Sequence, residues 1–265
     1  MKYENVLITG ASSGIGRAFS ICLPSSQQVI LTGRDSEQLQ LTQSSMANCH
    51  DRVIKKPVDL LSFAERTQLI SELQTLPLSL LVLNAGAGFF GHFIENDLQG
   101  ELNTIELNIS ANIHLLRELL PSMLDQARAT NRRAQVIVVA SHSAYMRVPH
   151  FAVYASAKAF LFNFALALSL ELKEEPIDIL LVCPGATQSR FSERAKLPKK
   201  MLSTPCHPQK VAQMSYRFVG KKSILLITRF DKILYWASKF LPVRLFDYVV
   251  LTVQGKIIRM KKQYE

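Results

Sequence analysis

The sequence predicts an α/β protein, a doubly wound parallel sheet of about seven strands with helices on both faces. Three observations predict it. Short runs that are apolar throughout recur along the chain, as strands buried on both faces require. Stretches with helical spacing separate these runs, and right-handed crossovers between parallel strands need such connections. The first run ends in a glycine-rich turn that leads straight into a helical stretch.

In chain order the expected strands are VLIT (6–9), VILT (29–32), VIKKPVD (53–59), LSLLVLN (78–84), QVIVVAS (135–141), DILLVCP (178–184) and SILLIT (223–228). The helical stretches are 15–23, 36–46, 62–76, 98–126 and 154–173. Residues 186–208 carry Pro198, Pro205 and Pro208 and no clean strand pattern, which fits a long lid with short helices. Two amphipathic pieces follow, 232–241 and 243–260, parted by Pro242. No repeat, low-complexity tract or linker divides the chain.

A chain of 265 residues, 48% hydrophobic and 20% charged, suits one large globular unit and excludes intrinsic disorder. Its four cysteines (Cys22, Cys49, Cys183, Cys206) are scattered without a CxxC pair, so neither a disulfide framework nor a zinc site is expected, and a cytoplasmic setting is. No secretory leader is visible, and no uninterrupted apolar run approaches the roughly 18 residues a bilayer span needs. Charge is uneven. Residues 1–193 hold 15 Lys/Arg against 18 Asp/Glu and residues 194–265 hold 16 against 3, so the last quarter supplies the whole excess of +10.

The turn TGASSGIG places Gly10, Gly14 and Gly16 between the first strand and the first helix. Glycines there permit a tight turn and let backbone N–H groups approach a pyrophosphate at the positive end of a helix, and Ser12, Ser13 and Ile15 of the turn are expected among the coenzyme-binding residues. The second strand ends in Thr32-Gly33-Arg34, with a guanidinium where an acid would bind a ribose diol. Arg34 can pair with a 2′-phosphate, which points to NADP(H), with Ser12, Ser13 and Arg17 assisting from the turn.

Downstream, Tyr154 and Lys158 lie four residues apart in YASAK, on one helix face, with Ser141 thirteen residues before the tyrosine. A carbonyl that accepts hydride develops charge on oxygen and needs a proton donor. Tyr154 supplies the proton, Lys158 is expected to lower the phenol's pKa by its charge, and Ser141 orients the oxygen. Ser143 competes for the serine role, but the position directly after VIVVA favours Ser141. His142 is rejected as a triad member because no paired acid is apparent, and His92, His150 and His207 show no metal-ligand spacing. No metal is expected.

Taken together, TGxxxGxG, Ser141 and YxxxK resemble the short-chain dehydrogenase/reductase superfamily over about residues 4–228. The resemblance implies a Rossmann-type fold and a tetrad of Asn108, Ser141, Tyr154 and Lys158, with Asn108 supporting a water-linked relay to the lysine. It also implies that Asp59 and Leu60 lie beside adenine, that Asn84, Ala85 and Gly86 shape the cleft, and that Pro184, Gly185 and Thr187 hold the nicotinamide end. Residues 1–228 are then the NADP-binding catalytic domain and 229–265 a basic helical extension.

Phe89, Phe90, Met146, Val148, Phe151, Phe191, Leu197 and Met201 are expected to wall the cleft, which suits a lipophilic carbonyl or alcohol. The extension mixes Trp236, Tyr235, Phe240 and Phe246 with Lys232, Lys239 and Arg244. It resembles the extensions of some lipid-acting reductases, relatives of ketosphinganine reductases among them. Three roles stay open for it: an anionic membrane surface, a cover for the pocket, or a subunit contact in a homodimer or homotetramer. Nucleic acid is disfavoured, since no recognition motif accompanies the charge. Two other activities also stay open: a 3-oxoacyl reductase working on a carrier-bound chain, and an NADP-binding sensor or scaffold without turnover.

Overall fold

The computed structural model describes residues 3–47, 50–76, 78–197 and 205–259. Seven strands form one parallel sheet in the order β3-β2-β1-β4-β5-β6-β7. They are β1 (Tyr3–Thr9), β2 (Ser26–Gly33), β3 (His50–Pro57), β4 (Leu78–Leu83), β5 (Ala134–Val139), β6 (Ile177–Cys183) and β7 (Ile224–Leu226). The strand order reverses between β1 and β4, and an open α/β sheet binds its ligands in the crevice at that switch point.

Each strand sends alternate residues to opposite faces, so one apolar run feeds two cores. Leu7, Leu81 and Val136 pack with Leu115, Leu119 and Leu161 under helices α3 (Phe63–Gln74), α5 (Ala111–Thr130) and α6 (Ala152–Glu171). Val6, Ile8, Val82 and Ile137 pack on the other face, under α1 (Gly14–Ile21), α2 (Ser36–Ser44) and α8 (Pro208–Phe218), while the short α7 (Phe191–Arg194) belongs to the lid. Helix α6 has the length and mean hydropathy, 1.5, of a membrane span, but Leu161, Phe162 and Ala165 are buried in the sheet core.

Two elements depart from the sequence reading. The stretch 98–126 is not one α-helix: α4 (Leu98–Ile105) passes through a π-helical turn (Glu106–Ser110) into α5. The Asn108 side-chain amide donates to Thr104 O (2.7 Å), and that of Asn112 donates to Asn108 O (2.8 Å). These amides take up carbonyls that regular i−4 bonding would use, which loosens the ladder there. Helix α8 was not expected. Val211, Ala212 and Ser215 form its buried face, and Tyr216 packs edge-on against Phe19 of α1 with its hydroxyl donating to Phe19 O (2.7 Å).

Beyond β7, α9 (Arg229–Phe240) and α10 (Val243–Arg259) form the extension. Helix α9 starts three residues earlier than expected, in a capping box where Thr228 Oγ1 accepts from Asp231 N and Asp231 Oδ2 accepts from Thr228 N.

Candidate active site

The glycine-rich turn is shaped by contacts that exclude side chains. Gly10 and Gly14 have φ of 65° and 55°, the left-handed region that favours glycine. A Cβ on Gly16 would lie 2.1 Å from Gly10 O and 2.5 Å from Asn84 Nδ2. Asn84 Nδ2 donates to Thr9 O (3.0 Å) and Gly10 O (3.3 Å), while Thr9 Oγ1 accepts from the N–H groups of Asn84 and Ala85. The tips of β1 and β4 are thereby locked together, and the crevice between them stays open.

That crevice is a cleft of about 520 Å³, in the range of small-ligand sites. Gly10, Ser12, Ser13, Gly14, Ile15, Arg34, Asp59, Leu60, Asn84, Ala85, Gly86, Pro184, Gly185 and Thr187 all line it, as do Ser141, Tyr154 and Lys158. Gly16 serves instead as the packing glycine beneath the turn. Asp59 and Leu60 lie in the turn after β3, and Asn84 and Ser141 just past the ends of β4 and β5. Arg34 stands at the lip, its side chain 60% exposed and its Nη1 4.0 Å from Asp59 Oδ2. Arg17 departs from its expected role. Its guanidinium donates to Thr42 Oγ1, Ser12 O and Gln38, so it buttresses the turn from behind.

At the other end of the cleft, Tyr154 and Lys158 project from one face of α6 and are both buried. The Ser141 hydroxyl lies close enough to the Tyr154 phenol to pull its pKa down, and Lys158 Nζ donates to Val139 O (3.1 Å). Ser141 Oγ also accepts from Ser143 N (3.2 Å), while the Ser143 hydroxyl is buried without a partner among the described residues. The two serines are thus distinct, and Ser141 is the one that acts on the Tyr154 phenol. Asn108 is fully buried, and its Oδ1 has no partner among the described residues although its Nδ2 donates to Ala87 O and Thr104 O. A Cβ on Gly86 would sit 2.7 Å from that oxygen and 3.2 Å from Lys158 Nζ. An orphan acceptor beside a buried ammonium is the arrangement a bridging water requires.

The expected lowering of the phenol is not found. Burial pushes Tyr154 up to about 12, opposed only by the Ser141 hydroxyl. Burial also drives Lys158 down to about 8. Desolvation wins because the ammonium lies 5.8 Å from the tyrosine ring centre and spends a proton on Val139 O.

The substrate side is aromatic. Phe151 stacks on Tyr154 (ring centres 4.2 Å, 21°), Phe191 approaches it at 5.2 Å, and Val148, Met146 and Phe90 complete the cluster. Phe89 lines the cleft beneath Lys196 Nζ, 4.7 Å from its ring centre. The described part of the lid is fastened down: Phe90 N donates to Ala195 O (3.0 Å), and Ser189 Cβ lies 2.7 Å from the position of a Cβ on Gly14. Leu197 packs on this cluster, whereas Met201 and Pro198 lie outside the described residues.

Sequence reasoning missed one pair altogether. His142 does have an acid: its Nδ1 lies 3.4 Å from Asp231 Oδ1. Asp231 is 89 residues downstream, and only its Thr228–Asp231 helix-cap spacing marks it in the sequence.

Such a turn at a sheet's switch point, with tyrosine and lysine one helical turn apart at the end of the same cleft, is the site of a dinucleotide-dependent oxidoreductase. The chain belongs to the short chain dehydrogenase family, whose sequence profile matches residues 4–199. Members of this family use NAD(P)(H). The glycine cradle and the orphan acceptor of Asn108 fit such a coenzyme.

Among curated relatives, ketoacyl reductase HetN of a Nostoc species is 26% identical over 228 residues, spanning 84% of this chain and 78% of that protein. The very-long-chain 3-oxoacyl-CoA reductase of Meyerozyma guilliermondii is 25% identical over 249 residues, 91% of this chain and 72% of the relative. Among solved structures, the Pseudomonas aeruginosa RhlG/NADP active-site complex is 25% identical with a TM-score of 0.71, covering 81% of this chain and 88% of that one.

Proposed function

We propose that this protein is an NADPH-dependent reductase of a lipophilic carbonyl compound. The observation that carries the reading is the buried Tyr154, set beside Ser141 and Lys158 in the cleft lining and enclosed by Phe151 and Phe191. When bound, NADPH supplies the hydride that converts the carbonyl carbon to CH–O⁻. Ser141 donates a hydrogen bond to the substrate oxygen, and Tyr154 transfers its proton there to complete the alcohol. A phenol pushed up to about 12 holds its proton throughout the neutral range, which suits donation and therefore reduction. Lys158 steadies the phenolate left behind, and the free acceptor of Asn108 favours reprotonation through water. Gly10 to Gly16 cradle the pyrophosphate. Asn84 to Gly86 form the cleft floor, Pro184 to Thr187 face the nicotinamide end, and Asp59 and Leu60 face adenine. Arg34 binds the 2′-phosphate; its looseness from Asp59 leaves the guanidinium available. In this reading residues 1–228 form the catalytic domain, and the protein works in the cytoplasm as a homodimer or homotetramer.

A carrier-bound 3-oxoacyl chain is the favoured form of the lipophilic substrate, because relatives named for ketoacyl and 3-oxoacyl-CoA reduction align over most of the chain. A sensor without turnover would have no use for a buried tyrosine set with Ser141 and Lys158 in the cleft lining. NADPH oxidation measured against 3-oxoacyl thioesters of graded chain length tests the reading. Rates should rise with chain length, and turnover of small polar ketones alone would defeat it.

The extension supports a second site of action, an anionic membrane surface. Phe230, Ile233, Trp236, Phe240, Val243 and Tyr248 are all more than half exposed on α9 and α10. Arg229, Lys232, Lys239 and Arg244 are exposed beside them. Asp231 and Asp247 turn inward to His142 and Arg147. An apolar face flanked by cations matches acidic lipid headgroups and would repel a second copy of itself. Full-length protein should co-sediment with phosphatidylserine vesicles, and a Trp236→Ala/Phe240→Ala variant should not. Equal sedimentation of the two would end the membrane assignment.

A further inference from the structure

We propose that Asp231, contributed by the first turn of the C-terminal extension, is a positioning residue of the active site that acts through His142 on the Ser141 segment and the Gly185 turn. Asp231 is 1% exposed. Helix capping explains only half of that carboxylate: Oδ2 accepts from Thr228 N (2.9 Å) and Thr228 Oγ1 (2.8 Å). An exposed aspartate would cap as well. The other oxygen, Oδ1, is directed at His142 Nδ1 (3.4 Å) and would lie 2.6 Å from a Cβ on Gly185. Burying a carboxylate is costly unless polar partners compensate, so its presence here needs a reason beyond the cap.

Three segments meet at this carboxylate. His142 is the neighbour of Ser141 and lines the cleft, and its backbone N–H donates to Pro184 O (2.9 Å). Tyr145, at the end of the short helical turn His142–Tyr145, donates its hydroxyl to Asp231 O (3.2 Å). Gly185 has no room for a side chain because Asp231 and His142 occupy it, with His142 Nδ1 3.0 Å from the Cβ position. Asp231 thus holds the serine segment and the Pro184–Gly185 turn in one register, and its carboxylate sets the His142 tautomer by accepting from Nδ1–H. Burial alone would raise the carboxyl's pKa, but the hydrogen bonds from His142 and Thr228 outweigh it and hold the group below its ordinary value. The carboxylate is therefore charged in the neutral range. The extension is in this way a working part of the catalytic unit.

The test compares full-length wild type, Asp231→Asn and Thr228→Ala. Asp231→Asn keeps the shape and removes the charge; Thr228→Ala removes the hydroxyl bonded to Oδ2 and leaves the Oδ1–His142 contact in place. Amide hydrogen exchange in the free protein should accelerate by about tenfold or more over residues 141–147 and 184–187 in Asp231→Asn. In Thr228→Ala it should accelerate only within α9. With 3-oxoacyl thioester and NADPH, kcat of Asp231→Asn should fall about tenfold while coenzyme Kd and KM stay within about twofold, and Thr228→Ala should keep the wild-type kcat. Unchanged exchange over 141–147 in Asp231→Asn overturns the proposal, and so does an equal loss of kcat in both variants. The kinetic arm rests on the reductase reading and the exchange arm does not, so an inactive wild type would sink that reading while exchange still decides the role of Asp231.

Discussion

Replacing Arg34 by aspartate should reverse the coenzyme preference, and the structure sets the size of the effect. A charge-assisted hydrogen bond contributes about 1.5–3 kcal/mol, and a side chain that is 60% exposed belongs at the low end of that range. The new carboxylate would also meet the 2′-phosphate, with Asp59 nearby. Like charges about 4 Å apart repel by about 1 kcal/mol in a water-like medium. Together these terms weaken NADPH binding by roughly 2–3 kcal/mol, or about 30- to 150-fold in Kd. NADH gains, because a carboxylate at this position accepts hydrogen bonds from a ribose diol. Titrating tyrosine and tryptophan fluorescence with each coenzyme measures both constants. Stability is a built-in control, since an exposed ion pair contributes only about 0–1 kcal/mol. A Kd ratio within about threefold of the wild type would refute the assignment of Arg34 to the 2′-phosphate.

Two further outcomes follow from the same geometry. Gly16→Ala would press a methyl group against Gly10 O and Asn84 Nδ2, so it should destabilise the fold by about 1–3 kcal/mol and weaken coenzyme at least about tenfold; thermal melting and titration check both, and wild-type values in both would refute the packing role. Lys158 titrates near 8 in the fold against about 10.4 unfolded, so the unfolded chain binds more protons between those values and stability rises with pH across that window. Lys158→Met removes this gain, and urea midpoints of the two proteins should diverge in favour of wild type from pH 8 to 10; parallel midpoints would contradict the buried, depressed ammonium.

The sheet and the site were legible in the sequence for local reasons. A strand buried on both faces must be apolar throughout, and an i, i+4 spacing places Tyr154 and Lys158 on one helix face whatever surrounds them. What escaped depends on tertiary context. The π turn at Asn108 arises from side-chain amides competing for main-chain carbonyls, which apolar periodicity does not register. Helix α8 begins at Pro208, at the end of a proline-bearing stretch, and the partner that Tyr216 finds on α1 lies 197 residues away in the chain. The state of Tyr154 was misjudged because spacing reveals a nearby ammonium but not the depth of burial that outweighs it. The His142–Asp231 contact joins residues far apart in the chain, and nothing local to His142 announces it. Arg17 shows the converse: a cation next to the phosphate turn is the obvious ligand until Thr42 and Gln38 are seen to hold it.

The central claim is that the phenolic hydroxyl of Tyr154 donates the proton of the reaction. Tyr154→Phe keeps the ring that packs against Phe151 and Phe191 and removes only the phenolic oxygen. Turnover at saturating NADPH and 3-oxoacyl thioester should drop by about 100-fold or more, with coenzyme Kd within about twofold of wild type. A variant that turns over within about threefold of wild type would contradict the account.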